Sequence, residues 1–222
     1  MGLRASWRKD LIWGRMSIWA IVPVKPFSQA KSRLQGVLSP EDRASLGRQF
    51  LVHTLDVIGQ VREIAQVLVI SRDSEALTLA HERGARTVAE ASTSDLNSAL
   101  SRATETAHGQ GAQGVVILPT DLPYLSADVV RDLVSEPGAG PAVVIAPDRS
   151  ATGTNALFVR PPGLMAYAFG PGSFRVHRAR GQRSGARVRI YRSVETELDL
   201  DLPEDWELYQ TRPFEVPSFT HA

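Results

Sequence analysis

The sequence has no cysteine, very little lysine, almost no net charge and no long apolar run, and each shortage closes off a class of function. Without cysteine there can be neither a disulfide nor a thiolate metal site, and the redox compartment is left open. A net charge of +1 offers no bulk attraction to nucleic acid or to an acidic membrane. No stretch approaches the roughly 20 apolar residues that a membrane-spanning helix needs, so the cytoplasm is the expected location. Two glycine fingerprints are missing as well. Neither the G-x-G-x-x-G of a dinucleotide fold nor the G-x-x-x-x-G-K-[ST] of a phosphate loop follows the first strand, which argues against a nicotinamide oxidoreductase. Of the 25 basic residues only Lys9, Lys25 and Lys31 are lysines. Genome composition or a hot habitat accounts for such a skew, but it singles out Lys25 and Lys31 just after the first strand.

What is present describes one α/β domain. The 222 residues, 43% hydrophobic and 22% charged, suffice for a soluble fold with a real core. The opening "MGLRASWRKDLIWGRM" lacks the apolar run and cleavage site of a signal peptide. Residues 1–15 are therefore expected to be a disordered extension, or to precede a true start at Met16. The domain should span 16–211, with 212–222 as a tail. "SIWAIVPVK", "AQVLVIS", "GVVILPT" and "PAVVIAP" read as strands buried on both faces. "ARTVAE" reads as a short strand or an extended piece. Helices are expected from Ser39-Pro40-Glu41-Asp42 to about Ile58, over Asp73–Arg83 closed by Gly84, over Ser94–His108, and from Ser126 to Val134. Beyond Pro147 the alternation loosens. "NALFVR" and "ARVRIYR" look like strands around a Gly- and Arg-rich segment, and a short helix near Pro203–Tyr209 closes the domain. Alternating strands and helices predict a single doubly wound, mostly parallel sheet with helices on both faces. Ligands of such sheets sit outside the carboxyl ends of the strands.

Several loops on that edge carry chemistry. In "VPVKPFSQAKSRL", Lys25, Lys31 and Arg33 can converge on phosphates, or form a solvated basic loop. "VVILPTDLPYL" ends a buried strand on Asp121 between two prolines that stiffen the loop. A carboxylate so placed suits Mg²⁺, which takes hard oxygen ligands and usually few carboxylates; otherwise it caps the following turn. In "ELDLDLPED", Asp199 and Asp201 fall two apart, on one face of an extended segment. Facing acids repel unless a cation lies between them. Glu204 and Asp205 suit the dipole of the following helix. "PDRSATGTNALFV" offers Gly153 and Thr154 for an anion, and "FGPGSFRVHRARGQ" offers Gly170 and Ser173 before a basic run. Within that run His177 alone does not indicate a catalytic base.

Taken together, "AIVPVKPFSQAKSRL", "SDLNSAL", "ILPTDLPYLS", "APDRSATGTNAL", "FGPGSFRVH" and "LDLDLPEDW" resemble the 2-phospho-L-lactate or phosphoenolpyruvate guanylyltransferases of deazaflavin coenzyme biosynthesis. The resemblance covers nearly everything from Ser17 to Tyr209, and it implies the Rossmann-like nucleotidyltransferase fold. It implies Asp121, Asp199 and Asp201 as Mg²⁺ ligands and Lys25 as a contact to the phosphorylated substrate. Thr154, Gly170 and Ser173 would bind the phosphate and carboxylate of a three-carbon acid, and Asn97 would lie near guanine. Lys31 and Arg33 would offset phosphate charge. The implied reaction passes GMP from GTP to the acid with release of pyrophosphate. Phosphoenolpyruvate is favoured over 2-phospho-L-lactate because bacterial members resemble the chain most. A labile product would suit hand-over to the next enzyme. The alternatives are a sugar-nucleotide or molybdenum-cofactor transferase, disfavoured by the short chain and the absent glycine-rich loop, and a non-catalytic nucleotide-binding module.

Overall fold

The computed structural model describes residues 16–90, 95–136, 138 and 140–211. The expected N-terminal extension and C-terminal tail lie outside the described residues. Seven strands form one sheet: β1 (Ile18–Val24), β2 (Ile64–Ser71), β3 (Arg86–Ala89), β4 (Gly114–Ile117), β5 (Ala142–Pro147), β6 (Thr154–Arg160) and β7 (Arg187–Ile190). Their order is β3-β2-β1-β4-β6-β5-β7. Every neighbouring pair is parallel except those of β6, which runs against both β4 and β5. The chain winds outward from β1 to β2 and β3, then returns to β4 and winds the other way. The strand order therefore reverses between β1 and β4, where a doubly wound sheet opens its ligand crevice.

Helices cover both faces, as the buried-both-sides strands require. One face is packed by α1 (Pro40–Gly59), α2 (Ser74–Glu82) and α4 (Ala127–Val134), whose Leu51, Leu55, Ala76, Ala80, Val130 and Leu133 meet Ala20, Val22, Val67, Val69 and Val116. The other face takes α3 (Leu96–Gly109) and α5 (Ser173–Arg183). There Ala99, Leu100, Ala103 and Ala107 pack on Trp19, Ile21, Leu68 and Ile117. The two residue sets alternate along β1, as the period of two demands. Small residues set the spacing on the second face: a Cβ on Gly181 of α5 would stand 3.0 Å from Val188 and 3.3 Å from Val143.

Local signals explain the helix starts. Ser39 accepts from Asp42 N–H, with Pro40 at the first position; Asp73, Asp95 and Ser126 cap the next three helices in the same way. Two short helices close the chain, α6 (Val194–Glu197) and α7 (Pro203–Thr211). The structure departs from the sequence reading mainly after Pro147. The Gly- and Arg-rich segment, given no secondary structure in the sequence reading, contains α5, and α6 was not expected at all. Among the described residues, no helix is long and apolar enough to cross a membrane.

Candidate active site

The connections leaving the carboxyl edge of the sheet, together with the amino end of reversed β6, wall a cleft of about 490 Å³. Its lining includes Lys25, Lys31, Arg33, Asp121, Thr154, Gly170, Ser173, Asp199 and Asp201. Asn97 is not part of that lining.

The first wall is the loop after β1. The Phe27 N–H donates to Asp73 Oδ2 at 2.7 Å, while Asp73 Oδ1 accepts from Glu75 N–H at 2.9 Å. One carboxylate thus caps α2 and pins the loop. Gly47 of α1 gives the loop room to lie close: a Cβ there would stand 3.0 Å from Ala30 Cβ and 3.2 Å from the Phe27 ring. Lys31 has φ 50, a left-handed conformation that costs a non-glycine residue about 1–3 kcal/mol and clusters at functional sites. Its ammonium lies 5.5 Å from the centroid of the Phe50 ring. Burial draws its pKa below the usual lysine range, opposed by the charges of Asp121, Asp201 and Asp199 and reinforced by Lys25. Lys25 and Arg33 are exposed.

The acidic wall joins two distant segments. The Leu200 N–H donates to Asp121 O at 2.9 Å, laying the 198–201 segment beside the end of β4. Leu198 and Leu200 are buried, Leu200 among Leu34, Leu46 and Phe50, so the intervening Asp199 and Asp201 open onto the cleft. Asp205, buried at the start of α7, accepts from Leu202 N–H at 2.9 Å and Asp201 N–H at 3.3 Å. It does more than complement the helix dipole, because it fixes the backbone that carries Asp201.

The three acids are not equivalent. Burial, and then the charges of Asp121, Asp201 and Asp205, push the Asp199 carboxyl up to about 6. Its Oδ1 lies 3.4 Å from Asn155 Nδ2. Asp201 Oδ2 instead accepts from Arg33 Nη1 at 3.1 Å. Among the described residues no three acidic or imidazole side chains close to metal-chelating distance. The chemistry of the Asp121–Asp199 pair nonetheless fits a hard divalent cation. Both carboxylates line the cleft, and burial together with the Asp121 charge raises the Asp199 pKa, a cost that a bound cation would relieve.

The third wall faces these acids. Asp148, opening the β5–β6 connection, accepts from Gly153 N–H at 2.7 Å, Thr152 N–H at 2.9 Å and Ser150 Oγ at 2.9 Å. Burial pushes its carboxyl up, but these hydrogen bonds outweigh it and hold the pKa below the usual range. The Gly153 amide, offered for an anion in the sequence reading, is therefore occupied, with that of Thr152, by the chain's own carboxylate. A Cβ on Gly153 would fall 2.6 Å from Asp148 Oδ2. Gly153→Ala is expected to expel that carboxylate and displace Thr154. Melting temperature should fall; an unchanged value would refute the link.

Thr154 itself is buried, with Oγ1 at 3.0 Å from His177 Nδ1. Gly170 at φ 130 and Gly172 at φ 74 turn the chain into α5, whose first residue Ser173 is buried against the cleft. The positive end of that helix favours anions. The Asn97 amide is spent here: Nδ2 donates to Phe169 O at 3.1 Å and Oδ1 accepts from Phe169 N–H at 2.7 Å. Asn97 ties α3 to the Phe169–Gly170 turn. In the basic run Arg175 and Arg178 are exposed, whereas Arg180 donates to Ala166 O and Tyr167 O at 2.9 and 2.8 Å.

Sequence reasoning passed over Asp148 and Asn155 and gave His177 no role. The D-x-S-x-T spacing of Asp148, Ser150 and Thr152 is the available signal for the first, since a short acid accepts readily from the turn after it. Asn155 and His177 are legible only once β6 and α5 bring distant carbonyls and amides to them.

A cleft at the switch point of such a sheet, with paired acids opposite cations and a helix start, is that of a nucleotidyltransferase. The same fold occurs in a Desulfovibrio desulfuricans G20 structure assigned as a nucleotide-diphospho-sugar transferase. The match has a TM-score of 0.67 at 18% identity, covering 82% of this chain and 84% of that one. The family called "Guanylyl transferase CofC like" matches residues 18–209, and the chain belongs to it. It is 40% identical over 190 residues to the phosphoenolpyruvate guanylyltransferase of Rubrobacter xylanophilus, covering 86% of this chain and 92% of that protein. It is 36% identical over 191 residues to the 2-phospho-L-lactate guanylyltransferase of Methanothermobacter thermautotrophicus, covering 86% and 82%.

Proposed function

We propose that the protein transfers GMP from GTP to the phosphate of a small phosphorylated three-carbon acid, releasing pyrophosphate, in the assembly of a deazaflavin coenzyme. Phosphoenolpyruvate is the favoured acceptor and 2-phospho-L-lactate the next. The names of the relatives support the acceptor class and the guanylyl group. The observation that carries the reading is the combination in one cleft of the Asp121–Asp199 pair, the Lys31 ammonium and the Thr154–Ser173 pocket.

In the reaction, an acceptor phosphate oxygen forms a bond to the α-phosphorus of GTP while the bond from that phosphorus to the bridging oxygen breaks. The electron pair of the broken bond leaves with pyrophosphate. The nucleophile is already anionic near neutral pH, so no side chain must remove a proton. That agrees with a cleft offering acids and cations but, among the described residues, no lining imidazole. Asp121 and Asp199 would hold Mg²⁺, and Asp201 would join them by exchanging Arg33 for the ion. When bound, Mg²⁺ would neutralise charge on the reacting phosphates. Lys31, and Lys25 at the open edge, offset the charge that remains. Thr154, Gly170 and Ser173 hold the acid so that its phosphate, not its carboxylate, meets the nucleotide. The rate enhancement is then one of positioning and charge compensation.

A pyrophosphate-release assay tests the reading. GTP with Mg²⁺ is offered with phosphoenolpyruvate, 2-phospho-L-lactate or 3-phosphoglycerate, and CTP and ATP replace GTP in parallel. Release with GTP and one of the first two acids is the expected result. Tight GTP binding without release in any combination would mark a binding module and end the proposal.

A further inference from the structure

His177 is completely buried, so it cannot touch a substrate. It nevertheless carries a set of contacts that no packing requirement explains. Its Nε2 accepts from the Ala168 N–H at 2.9 Å, and its Nδ1 lies 3.0 Å from Thr154 Oγ1. The Phe169 ring meets the imidazole edge-on, with centroids 4.9 Å apart. Phe169 is itself held by the Asn97 amide.

These contacts determine where the protons are. A backbone N–H can only donate, so Nε2 must present a lone pair. A neutral imidazole has one N–H, which must then sit on Nδ1. The doubly protonated ring would set two donors, Ala168 N–H and Nε2–H, against each other in a site without water access. Nδ1–H therefore donates to Thr154 Oγ1. A threonine hydroxyl has a single hydrogen and rotates to suit its partners. With its oxygen already accepting from His177, that hydrogen is turned away from the imidazole, and Thr154 lines the cleft.

We propose that His177 is a positioning residue that locks the Thr154 hydroxyl as a hydrogen-bond donor toward the anionic end of the acceptor. The order is Ala168 N–H to Nε2, Nδ1–H to Oγ1, and Oγ1–H to an oxygen of the phosphate or carboxylate. A hydroxyl free to rotate would spend part of its time with a lone pair facing that anion, which repels it. The relay removes this orientation before binding, so the ordering cost is met during folding. The inference rests on the proposed reading of Thr154 as an acceptor contact, and the test separates the two.

Two substitutions divide the imidazole. His177→Gln can still accept from Ala168 N–H but loses the donor to Thr154. His177→Asn retains a donor near the Nδ1 position and loses the distant acceptor. The relay predicts that His177→Gln raises the KM of phosphoenolpyruvate about tenfold, the scale of one hydrogen bond to a charged group, with the KM of GTP within about twofold of wild type. His177→Asn should keep the phosphoenolpyruvate KM while melting at a lower temperature, because Ala168 N–H is left unpaired. A purely structural role predicts that KM follows melting temperature in both variants, and that result would overturn the relay. So would a raised KM in His177→Asn. Adding His177→Gln to Thr154→Val should have no further effect on KM, since the hydroxyl it orients is gone. Should Thr154→Val leave the phosphoenolpyruvate KM unchanged, the reading of Thr154 fails and the relay with it. Should Thr154→Val raise KM while His177→Gln does not, that reading stands and the relay alone is wrong. Calorimetric binding of phosphoenolpyruvate without GTP should rank the variants in the same order.

Discussion

Asp121→Asn is expected to lower kcat by at least about a hundredfold at saturating Mg²⁺, GTP and acceptor, the scale of losing one strong transition-state contact. The substitution keeps the shape of the side chain and removes its charge. The backbone link from Leu200 N–H to Asp121 O does not depend on the side chain, so the 198–201 segment should keep its place. The loss should therefore appear without a large change in melting temperature. Near-normal turnover at saturating Mg²⁺ would remove Asp121 from the metal role. The effect should also propagate. Asp121 is one of the charges that raise the Asp199 carboxyl, so its removal should bring that group back toward the ordinary aspartate range.

Asp199→Asn should separate stability from activity. In the folded protein burial and the neighbouring charges push this carboxyl up to about 6, above the ordinary aspartate value of 3.8. A raised acid favours folding only while protonated. Its ionisation in the folded state begins to cost stability as pH rises through 4, and the cost is complete above about 6. At pH 7.5, without metal, the asparagine variant should thus melt a few degrees higher than wild type, corresponding to about 1–2 kcal/mol after allowance for the partial exposure of the group. That gain should shrink as pH falls from 6 towards 4. The same variant should lose most of its turnover, and Mg²⁺ should raise the melting temperature of wild type but not of the variant. A wild-type-like melting temperature at pH 7.5 would show that the folded protein does not strain Asp199, and would weaken the case for a cation beside it.

The contrast between what was and was not legible in the sequence follows the range of the interactions involved. Strand–helix alternation up to Val134 is a matter of local pattern and capping, and Ser39, Asp73 and Ser126 each cap the helix expected of them. Asp121, Asp199 and Asp201 could be named because an acid at the end of an apolar strand, or two acids alternating with leucines, is conspicuous along the chain. Their inequality could not be read there. Arg33 reaches Asp201 across more than half of the chain, and Asp205 acts on the Asp201 backbone only once α7 has formed. The segment carrying α5 was obscured by Gly170, Gly172 and a run of arginines. Those glycines read as an ordinary turn or an anion contact, and in the fold they supply the positive φ values that turn the chain into the helix. Asn97 was placed near guanine by the family resemblance alone, with no local feature of the sequence behind it. In the fold both ends of that amide close on Phe169, 72 residues away.

The two ends of the sheet give the scarcity of lysine a consequence for solubility. An exposed edge strand is a template on which a second chain can add, and proteins commonly block it with short strands and lysine. Here both edge strands, β3 and β7, are four residues long. Arginine takes the place of lysine on each: Arg86 on β3, and Arg187 and Arg189 on β7. Arg86 lies 5.2 Å from the Trp19 ring, and Arg187 and Arg189 pair with buried Glu136. The Arg86 guanidinium reaches inward from its edge, over a ring of β1, while Arg187 and Arg189 are tied to an acid beyond α4. Strand-by-strand addition at either end of the sheet thus meets short strands carrying the cation the chain has in abundance, while Lys25 and Lys31 line the cleft.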